Sequence, residues 1–187
     1  MSKNRCYWCG EDPLYVAYHD TEWGIPVYDD ATLFEFLLLE TFQAGLSWIT
    51  ILKKREHFRK AFDNFDYKKI ATYDTKKIAA LLENKGIIRN KLKVHSAITN
   101  AQAFMKVQKE FGSFSTYFWN FTDGKIIKNS FKTMAEIPAN TPLSDRISKD
   151  LKKRGFKFVG STIIYAKMQA TGMVNDHLVT CFRYNEV

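Results

Sequence analysis

Cysteine and histidine residues gather at the two ends of this chain. The N-terminal segment carries Cys6, Cys9 and His19, and the C-terminal segment carries His177 followed four residues later by Cys181. These segments hold all 3 cysteines and two of the 4 histidines of the 187-residue sequence. Thiolate sulfur and imidazole nitrogen are the ligands of tetrahedral zinc. We therefore expect one zinc ion, held by residues 6–19 and 177–181, to join the two ends of the fold.

The residues alone leave the details of this site open. The spacing of His177 and Cys181 predicts one helix that presents both on the same face. Four protein ligands leave no position for a catalytic water, so the site would be structural. Cys6 and Cys9 form a Cys-x-x-Cys pair that competes with Cys6 plus His19 for two of the four places. The alternative without a metal is three buried apolar cysteines and ordinary histidines.

Composition restricts the class of protein. With 45% hydrophobic and 26% charged residues, the chain is long enough for one substantial core or two small lobes. The sequence contains no run of about 18 apolar residues that would span a membrane. The N-terminal residues lack the apolar segment of a signal peptide, so we expect a cytoplasmic protein with reduced, metal-binding thiols.

A net charge of +8 predicts a polyanionic partner, and together with 15% aromatic residues it favours nucleic acid. Basic residues form runs at positions 53–55, 91–93 and 152–154, with Lys157 just beyond the last run. The alternative for each run is a helix face that is solvated and binds nothing.

Apolar periodicity predicts an all-α fold, a single unit over residues 1–187 with two helical lobes. Asp12, Asp30, Ser47 and Ser144 are expected to cap helices. No segment alternates as a strand would, and residues 122–142 are the least regular part. Helices are expected over residues 13–18, 32–44, 48–62, 67–72, 75–83, 89–111, 113–118, 144–154 and 161–171.

Glu40 occupies an unusual position for a carboxylate. The helix around it is apolar nearly all round, and helical spacing places Phe36, Leu37 and Ala44 on the same side as Glu40. Burial raises the pKa of a carboxyl group unless a cation or several donors compensate. We expect Glu40 to face a ligand pocket and to recognise a donor or a positive charge there. In the alternative, Glu40 reaches solvent past Thr41.

Aromatic residues accompany Glu40 and the predicted metal site. Stacking rings around one buried carboxylate form a pocket suited to a planar, electron-poor heterocycle. In the alternative, each ring packs in the hydrophobic core and contacts no ligand. The residues are Trp8, Tyr15, Tyr18, Trp23 and Trp48.

A glycine-bounded hairpin joins the last two predicted helices, at about residues 144–171. Glycine lets backbone N–H groups approach an oxyanion, and the helix that begins at Ser161 directs its N-terminus toward the hairpin. Such a helix-hairpin-helix motif holds a DNA backbone without reading sequence; the alternative is an ordinary structural turn. The expected contacts are Lys153, Arg154, Gly155, Lys157, Gly160 and Ser161.

Taken together, these segments resemble the 3-methyladenine DNA glycosylase I family of the helix-hairpin-helix DNA glycosylase superfamily. The resemblance extends over essentially the whole chain, in order. It is carried by Asp12-Pro13-Leu14-Tyr15, Tyr18-His19-Asp20, Glu22-Trp23-Gly24, Ala44 to Thr50, Leu52 to Glu56, Gly86 to Arg89, Leu151 to Gly160 and Val174 to His177.

The resemblance implies an all-helical monofunctional enzyme. It would flip and excise N3-methyladenine from double-stranded alkylated DNA, leave an abasic site without cutting the strand, and release free 3-methyladenine. The implied zinc ligands are Cys6, His19, His177 and Cys181, with Cys9 a spare thiol.

The resemblance also implies roles in the pocket. Glu40 would read the base and Tyr18 would act beside it, with Tyr18 and Trp48 stacking on the ring. Trp8, Tyr15 and Trp23 would line the pocket. Gly45 and Leu46 would fill the gap that the flipped base leaves.

One position departs from the wider superfamily, in which many members carry a catalytic aspartate where this chain has Asn175. A cationic N3-methylated base is already a good leaving group, so a neutral amide is tolerable there.

We expect a monomer without a membrane partner. The alternatives are a non-catalytic zinc-stabilised DNA-binding module and a zinc hydrolase with an open coordination position.

Overall fold

The computed structural model describes residues 3–187, and this part of the chain is mostly helical, as predicted. Its helices are α1 (Pro13–Thr21), α2 (Asp30–Gln43), α3 (Trp48–Ala61), α4 (Tyr67–Ile70), α5 (Thr75–Glu83), α6 (Lys91–Phe111), α7 (Phe114–Trp119), α8 (Pro142–Lys153) and α9 (Ser161–Ala170). Short 3-10 helices cover Tyr7–Cys9, Asp63–Phe65, Asn120–Thr122, Met134–Glu136 and Phe182–Asn185. Within residues 3–187, no helix is long and apolar enough to cross a membrane.

Side chains cap most helices, but Asp12 is the one of the four predicted caps whose side chain caps its helix. Asp12 accepts a hydrogen bond from Leu14 N at 3.0 Å at the start of α1, as expected. Asp29, and not Asp30, caps α2. The carboxylate of Asp30 instead accepts from Phe114 N and Ser115 N at 2.9 and 2.7 Å. Asp30 therefore joins the start of α2 to the start of α7, a contact between residues far apart in sequence.

The start of α8 also differs from the prediction. Thr141 is its cap, Pro142 opens the first turn, and Ser144 lies inside the helix as the partner of Thr141 in a capping box. Ser47 precedes α3 as predicted. Its hydroxyl pairs with Thr50 Oγ1 at 2.7 Å instead of capping a backbone N–H.

Two very short strands, which the sequence did not predict, pair in parallel. Ile127 of β1 (Ile127–Lys128) lies opposite Val174 of β2 (Val174–Asn175). Two residues are too few for an alternating pattern to be visible. This pairing brings the irregular segment after α7 against the chain just before His177.

The predicted helix through His177 and Cys181 was wrong. The chain turns there, with Cys181 N donating to Leu178 O at 2.7 Å. The side chain of Asn175 bridges this segment: its Oδ1 accepts from His177 N, and its Nδ2 donates to Tyr184 O and Val187 O. Asn175 thus holds the C-terminal segment in a compact turn.

Two groups of buried apolar residues form the core. The larger one contains Phe34, Phe42 and Phe104 with most of the apolar side chains of α2 to α9. The smaller one surrounds Tyr18 and Trp23 near the chain ends. Helix α2 contributes to both groups, which explains why it is apolar nearly all round.

We predict that Gly172→Ala lowers stability far more than the matched change Gly124→Ala. Both glycines have positive φ, +69° and +72°, so alanine costs about 1 kcal/mol at either position. A Cβ at Gly172 would overlap the backbone of Ile25 and Pro26, whereas at Gly124 it would meet open space. We expect a loss of about 3 kcal/mol or more for Gly172→Ala in urea unfolding. Equal losses would contradict this packing.

Candidate functional site

Cys6, His19, His177 and Cys181 meet in one buried cluster, with one ligand atom of each within 4.8 Å of the others. The Cys181 sulfur lies 3.4 Å from His19 Nε2 and 3.5 Å from His177 Nδ1, and the Cys6 sulfur lies 3.7 Å from His177 Nδ1. Zinc–sulfur and zinc–nitrogen bonds of ordinary length give a sulfur–nitrogen edge of about 3.5 Å in a tetrahedron. The cluster is therefore spaced to hold a tetrahedral metal ion.

The second nitrogen of each imidazole is held by an outer partner. His19 Nδ1 pairs with Asp20 at 2.8 Å, and Asp20 accepts hydrogen bonds from Nε and Nη2 of the Arg5 guanidinium. His177 Nε2 pairs with Trp23 O at 3.2 Å. These contacts direct the remaining nitrogen of each ring into the cluster, as in metal sites. Gly24 packs on the His177 ring with φ +83°, where a Cβ would approach Nε2 to 3.0 Å.

Cys9 does not take part in the cluster. Its thiol donates to Cys6 O at 3.2 Å, and burial raises its pKa. By contrast, the hydrogen bond between the two thiols of the cluster lowers the pKa of Cys181 and raises that of Cys6. It favours a thiolate, the form of cysteine that binds metals, at Cys181. The structure thus brings His19, and not Cys9, together with Cys6, His177 and Cys181.

A cavity of about 340 Å³ adjoins the cluster, and Trp8 and Trp23 belong to the walls of both. The ring of Trp8 lies 4.9 Å from that of Trp23 and 5.3 Å from that of His19. The ring of Trp23 lies 4.6 Å from that of His177. The cavity is lined by Trp8, Tyr15, Tyr18, Trp23, Glu40, Gln43, Trp48, Met134, Ile137, Pro138, Ala139, Thr162, Tyr165, Ala166 and Gln169.

Glu40 lines this cavity and is only 2% exposed. Its Oε2 has no hydrogen-bond partner in the described part of the chain. Burial raises the pKa of Glu40 to about 8, and the charge of Lys167 opposes that rise. Lys167 is itself fully buried, donates to Leu33 O at 2.8 Å, and has its pKa lowered to about 7 by burial. Glu40 is thus a buried carboxyl group that faces the cavity and not the solvent.

Tyr18 and Trp48 contact each other across the cavity wall, with ring centroids 5.5 Å apart and planes inclined by 47°. A base stacked between two rings needs them about 7 Å apart, so the predicted sandwich requires these rings to separate. Burial raises the pKa of Tyr18 well above its ordinary value, which keeps its hydroxyl protonated. Trp48 Nε1 is buried without an acceptor among the described residues.

Two parts of the cavity wall were not predicted from the sequence. Residues of α9 line it at positions 162, 165, 166 and 169, which share one helix face. The periodicity was visible in the sequence, but nothing there indicated which face of α9 meets the cavity. The other part is the segment 134–139, which follows β1 and shows no periodicity at all.

The turn between α2 and α3 exposes an apolar side chain beside the cavity. Gly45 has φ +83°, and Leu46 is 40% exposed. Lys93 of α6 fixes this turn, because its Nζ donates to Phe42 O and Ala44 O at 2.8 and 2.7 Å. Lys93 is therefore a buried structural residue and not part of a solvated basic surface.

Another of the basic runs is compensated by acidic residues. Lys53 pairs with Asp12 at 2.8 Å. Arg55 pairs with Glu22 and Glu35, both at 2.6 Å. These partners lie far from the run in sequence, so the run itself gave no sign of them.

The hairpin between α8 and α9 forms where it was predicted. Gly155 has φ +96°, and the buried side chain of Asn100 fixes the hairpin through hydrogen bonds to Lys157 N and Lys157 O at 2.7 and 3.1 Å. No side chain caps the N-terminus of α9, which begins after Gly160. Lys153 and Lys157 are exposed.

The positive charge of Arg154, unlike that of its neighbours in the hairpin, is partly neutralised by acidic side chains. It pairs with Glu110 and with Asp150, both at 2.7 Å. Its guanidinium also lies 4.9 Å from the centre of the Phe111 ring. Arg154 therefore has a structural role in addition to its predicted place at the DNA surface.

Comparisons with known proteins agree in pointing to one family. The model of the family described as methyladenine glycosylase matches residues 8–184. The chain is 48% identical to DNA-3-methyladenine glycosylase 1 of Escherichia coli (strain K12), over 96% of each chain. It is 47% identical to DNA-3-methyladenine glycosylase of Haemophilus influenzae, over 95% of this chain and 96% of the relative.

Solved structures give the same result. A crystal structure of 3-methyladenine DNA glycosylase I matches with a TM-score of 0.93 and 49% identity, over 96% of this chain and 98% of that one. The Staphylococcus aureus protein of that name, described for its recognition of 3-methyladenine, matches with a TM-score of 0.93 and 35% identity, over 97% of each chain.

We predict that Glu40→Gln changes how stability depends on pH. The pKa of Glu40 is about 8 in the folded protein and 4.5 ordinarily, so the wild-type protein loses stability as the pH rises through this range. The glutamine variant lacks this loss. Between pH 5.5 and 8.5, the wild-type protein should lose about 3 kcal/mol relative to the variant in urea unfolding. A difference that stays constant with pH would show that Glu40 ionises normally.

Proposed function

This chain belongs to the methyladenine glycosylase family, and we infer that it is a DNA-3-methyladenine glycosylase, which removes 3-methyladenine from alkylated DNA. The observation that carries this inference is the pair of unpartnered polar atoms in an aromatic cavity, Glu40 Oε2 and Trp48 Nε1. One is an acceptor and the other is a donor. A ligand that satisfies both must offer a donor and an acceptor on one edge.

Adenine has such an edge, with its amino group as donor and its ring nitrogens as acceptors. Glu40 accepts from the amino group, and Trp48 Nε1 offers a donor to a ring nitrogen. N3-methyladenine in DNA also carries a positive charge, which favours the ionised form of Glu40 over the protonated form. Unmodified adenine is neutral and offers no such compensation to a buried carboxylate.

The damaged nucleotide must leave the base stack before it reaches this cavity. Leu46, exposed at the turn beside the cavity, fills the space that it leaves. The rings of Tyr18 and Trp48 then hold the base, once they have separated.

Bond cleavage follows from the charge of the base. The electron pair of the glycosidic bond moves to the cationic base, which leaves as neutral 3-methyladenine. The sugar becomes an oxocarbenium ion, water adds its oxygen to the anomeric carbon, and the released proton passes to solvent. No lysine lines the cavity in the described part of the chain. A Schiff base that would lead to strand cleavage is therefore not part of the proposal.

DNA binding is assigned to the hairpin and to the turn. The uncapped N-terminus of α9 offers backbone N–H groups to a phosphate, and the exposed Lys153 and Lys157 add attraction. The proposed contacts are Gly45, Leu46, Lys153, Arg154, Gly155, Lys157, Gly160 and Ser161.

We assign one structural zinc ion to the cluster of Cys6, His19, His177 and Cys181. Its spacing and the outer partners of its rings support a closed tetrahedral site. The ion joins the two chain ends and takes no part in bond cleavage. The two core groups share Trp48 and Ile137, which supports one folded unit over the whole chain.

The protein is proposed to act as a monomer, because one chain supplies the whole pocket and the whole cluster. A DNA substrate and three free cysteines favour the cytoplasm.

We predict that the metal-loaded protein releases 3-methyladenine, and leaves 7-methylguanine in place, when it acts on methylated duplex DNA. Glu40→Gln keeps the size of the side chain but removes the charge that offsets the cationic base. We expect its single-turnover rate of 3-methyladenine release to fall about 100-fold, since each 1.4 kcal/mol of lost stabilisation costs a factor of ten. Chromatography of the released bases measures both proteins.

The outcome that would favour the non-catalytic DNA-binding module is specific. A folded, metal-loaded wild-type protein that binds duplex DNA and releases no base would overturn the enzymatic assignment. Equal release by the wild-type and Glu40→Gln proteins would keep the activity and remove Glu40 from it.

For zinc, we predict that Cys181→Ser abolishes binding and that Cys9→Ser leaves one zinc ion per chain. Both variants exchange one buried sulfur for oxygen, but only Cys181 belongs to the cluster. Cys181→Ser should unfold at a markedly lower temperature, since a structural site contributes its binding energy to folding. Elemental analysis and thermal unfolding test this. Loss of zinc from the Cys9 variant would instead assign Cys9 as a ligand.

A further inference from the structure

A second buried carboxylate, Asp176, lies directly behind the cavity wall that α9 forms. It is 1% exposed and accepts three hydrogen bonds. Its Oδ2 accepts from Tyr165 OH at 2.6 Å and from Gln169 Nε2 at 2.8 Å, and its Oδ1 accepts from Asn129 Nδ2 at 2.6 Å. All three donors are neutral groups, so none of them cancels the charge of a carboxylate.

Two of these donors, Tyr165 and Gln169, belong to the cavity wall. They lie four residues apart on α9 and therefore on one face. The hydroxyl proton of Tyr165 is committed to Asp176, which leaves only oxygen lone pairs for the cavity. Burial and the contact with Asp176 raise the pKa of Tyr165, so its hydroxyl stays protonated. Gln169 likewise donates one N–H of its amide to Asp176, which orients the amide and leaves its Oε1 as an acceptor beside its second N–H.

The residue next to Asp176 cannot supply this charge. Asn175 is neutral, and its amide is occupied by Tyr184 O, Val187 O and His177 N. Asn175 stabilises the C-terminal turn. Asp176, the next residue, is the buried carboxylate that contacts the cavity wall through hydrogen bonds.

We propose that Asp176 is a positioning residue for base excision, which holds Tyr165 and Gln169 as acceptors toward the cavity and adds a negative charge behind them. The proposal rests on the proposed glycosylase function. A cationic base and the positive charge that develops on the sugar are both stabilised by an anion one hydrogen bond away from the wall. Glu40 acts on the base directly, and Asp176 acts through two side chains of α9.

The variant Asp176→Asn isolates the charge from the hydrogen bonds. An asparagine whose oxygen takes the place of Oδ2 still accepts from Tyr165 and Gln169. Its amino group then faces Asn129, whose amide can turn over and offer its oxygen. The number of hydrogen bonds is conserved, and only the negative charge is lost.

The test measures single-turnover release of 3-methyladenine from methylated duplex DNA, with zinc content and the dissociation constant for duplex DNA measured on the same samples. We expect Asp176→Asn to slow release about tenfold or more, with one zinc ion retained and DNA affinity unchanged. Glu83→Gln removes one exposed negative charge and should release base at the wild-type rate. In a Tyr165→Phe background, Asp176→Asn should have a smaller effect, because one of the two connections is gone.

Each outcome has one meaning. Release at the wild-type rate by folded, zinc-containing Asp176→Asn protein overturns the proposal. If that variant loses zinc or does not fold, Tyr165→Phe decides: slower release by a zinc-containing protein supports the proposal, and the wild-type rate overturns it. Failure of the wild-type protein to release any base removes the proposed function, and this inference with it.

Discussion

The rest of the structure depends on the contact between the two ends of the chain at the cluster of Cys6, His19, His177 and Cys181. Cys6, His177 and Cys181 lie outside regular helices, and His19 belongs to α1. Because the two chain ends meet there, Trp8 and Trp23 lie at the cavity and His177 is held against Trp23 O. The aromatic wall of the cavity therefore depends on how the two chain ends meet at this cluster.

The cavity combines this aromatic wall with a carboxyl group, Glu40, whose Oε2 has no hydrogen-bond partner among residues 3–187. Burial raises the pKa of Glu40 to about 8, so an empty pocket holds a group that is poorly solvated in its charged form. In the proposed function, a cationic base supplies the missing compensation, and a neutral base does not. Selectivity for a damaged base then follows from the electrostatics of burial, together with the weak glycosidic bond of the cation itself.

The sequence predicted features that depend on local sequence or on a rare residue type. Cysteines occur only at the chain ends, which indicated the cluster, and the apolar surroundings of Glu40 indicated its burial. The sequence did not indicate whether Cys9 or His19 joins the cluster, because that depends on where the chain ends meet. Arg55 appeared free, since its partners Glu22 and Glu35 are distant in sequence. The helix expected at His177 did not form; the side chain of Asn175 instead holds that segment in a turn through contacts with Tyr184 and Val187.

The most direct test of this account is the binding of 3-methyladenine, followed by tryptophan fluorescence, to the protein before and after removal of its metal. The measurement belongs at a temperature at which the stripped protein keeps its helical content. If the metal holds the aromatic wall in place, stripping abolishes binding and added zinc restores it. Binding of undiminished affinity by the stripped, helical protein would contradict the dependence of the pocket on the joined chain ends.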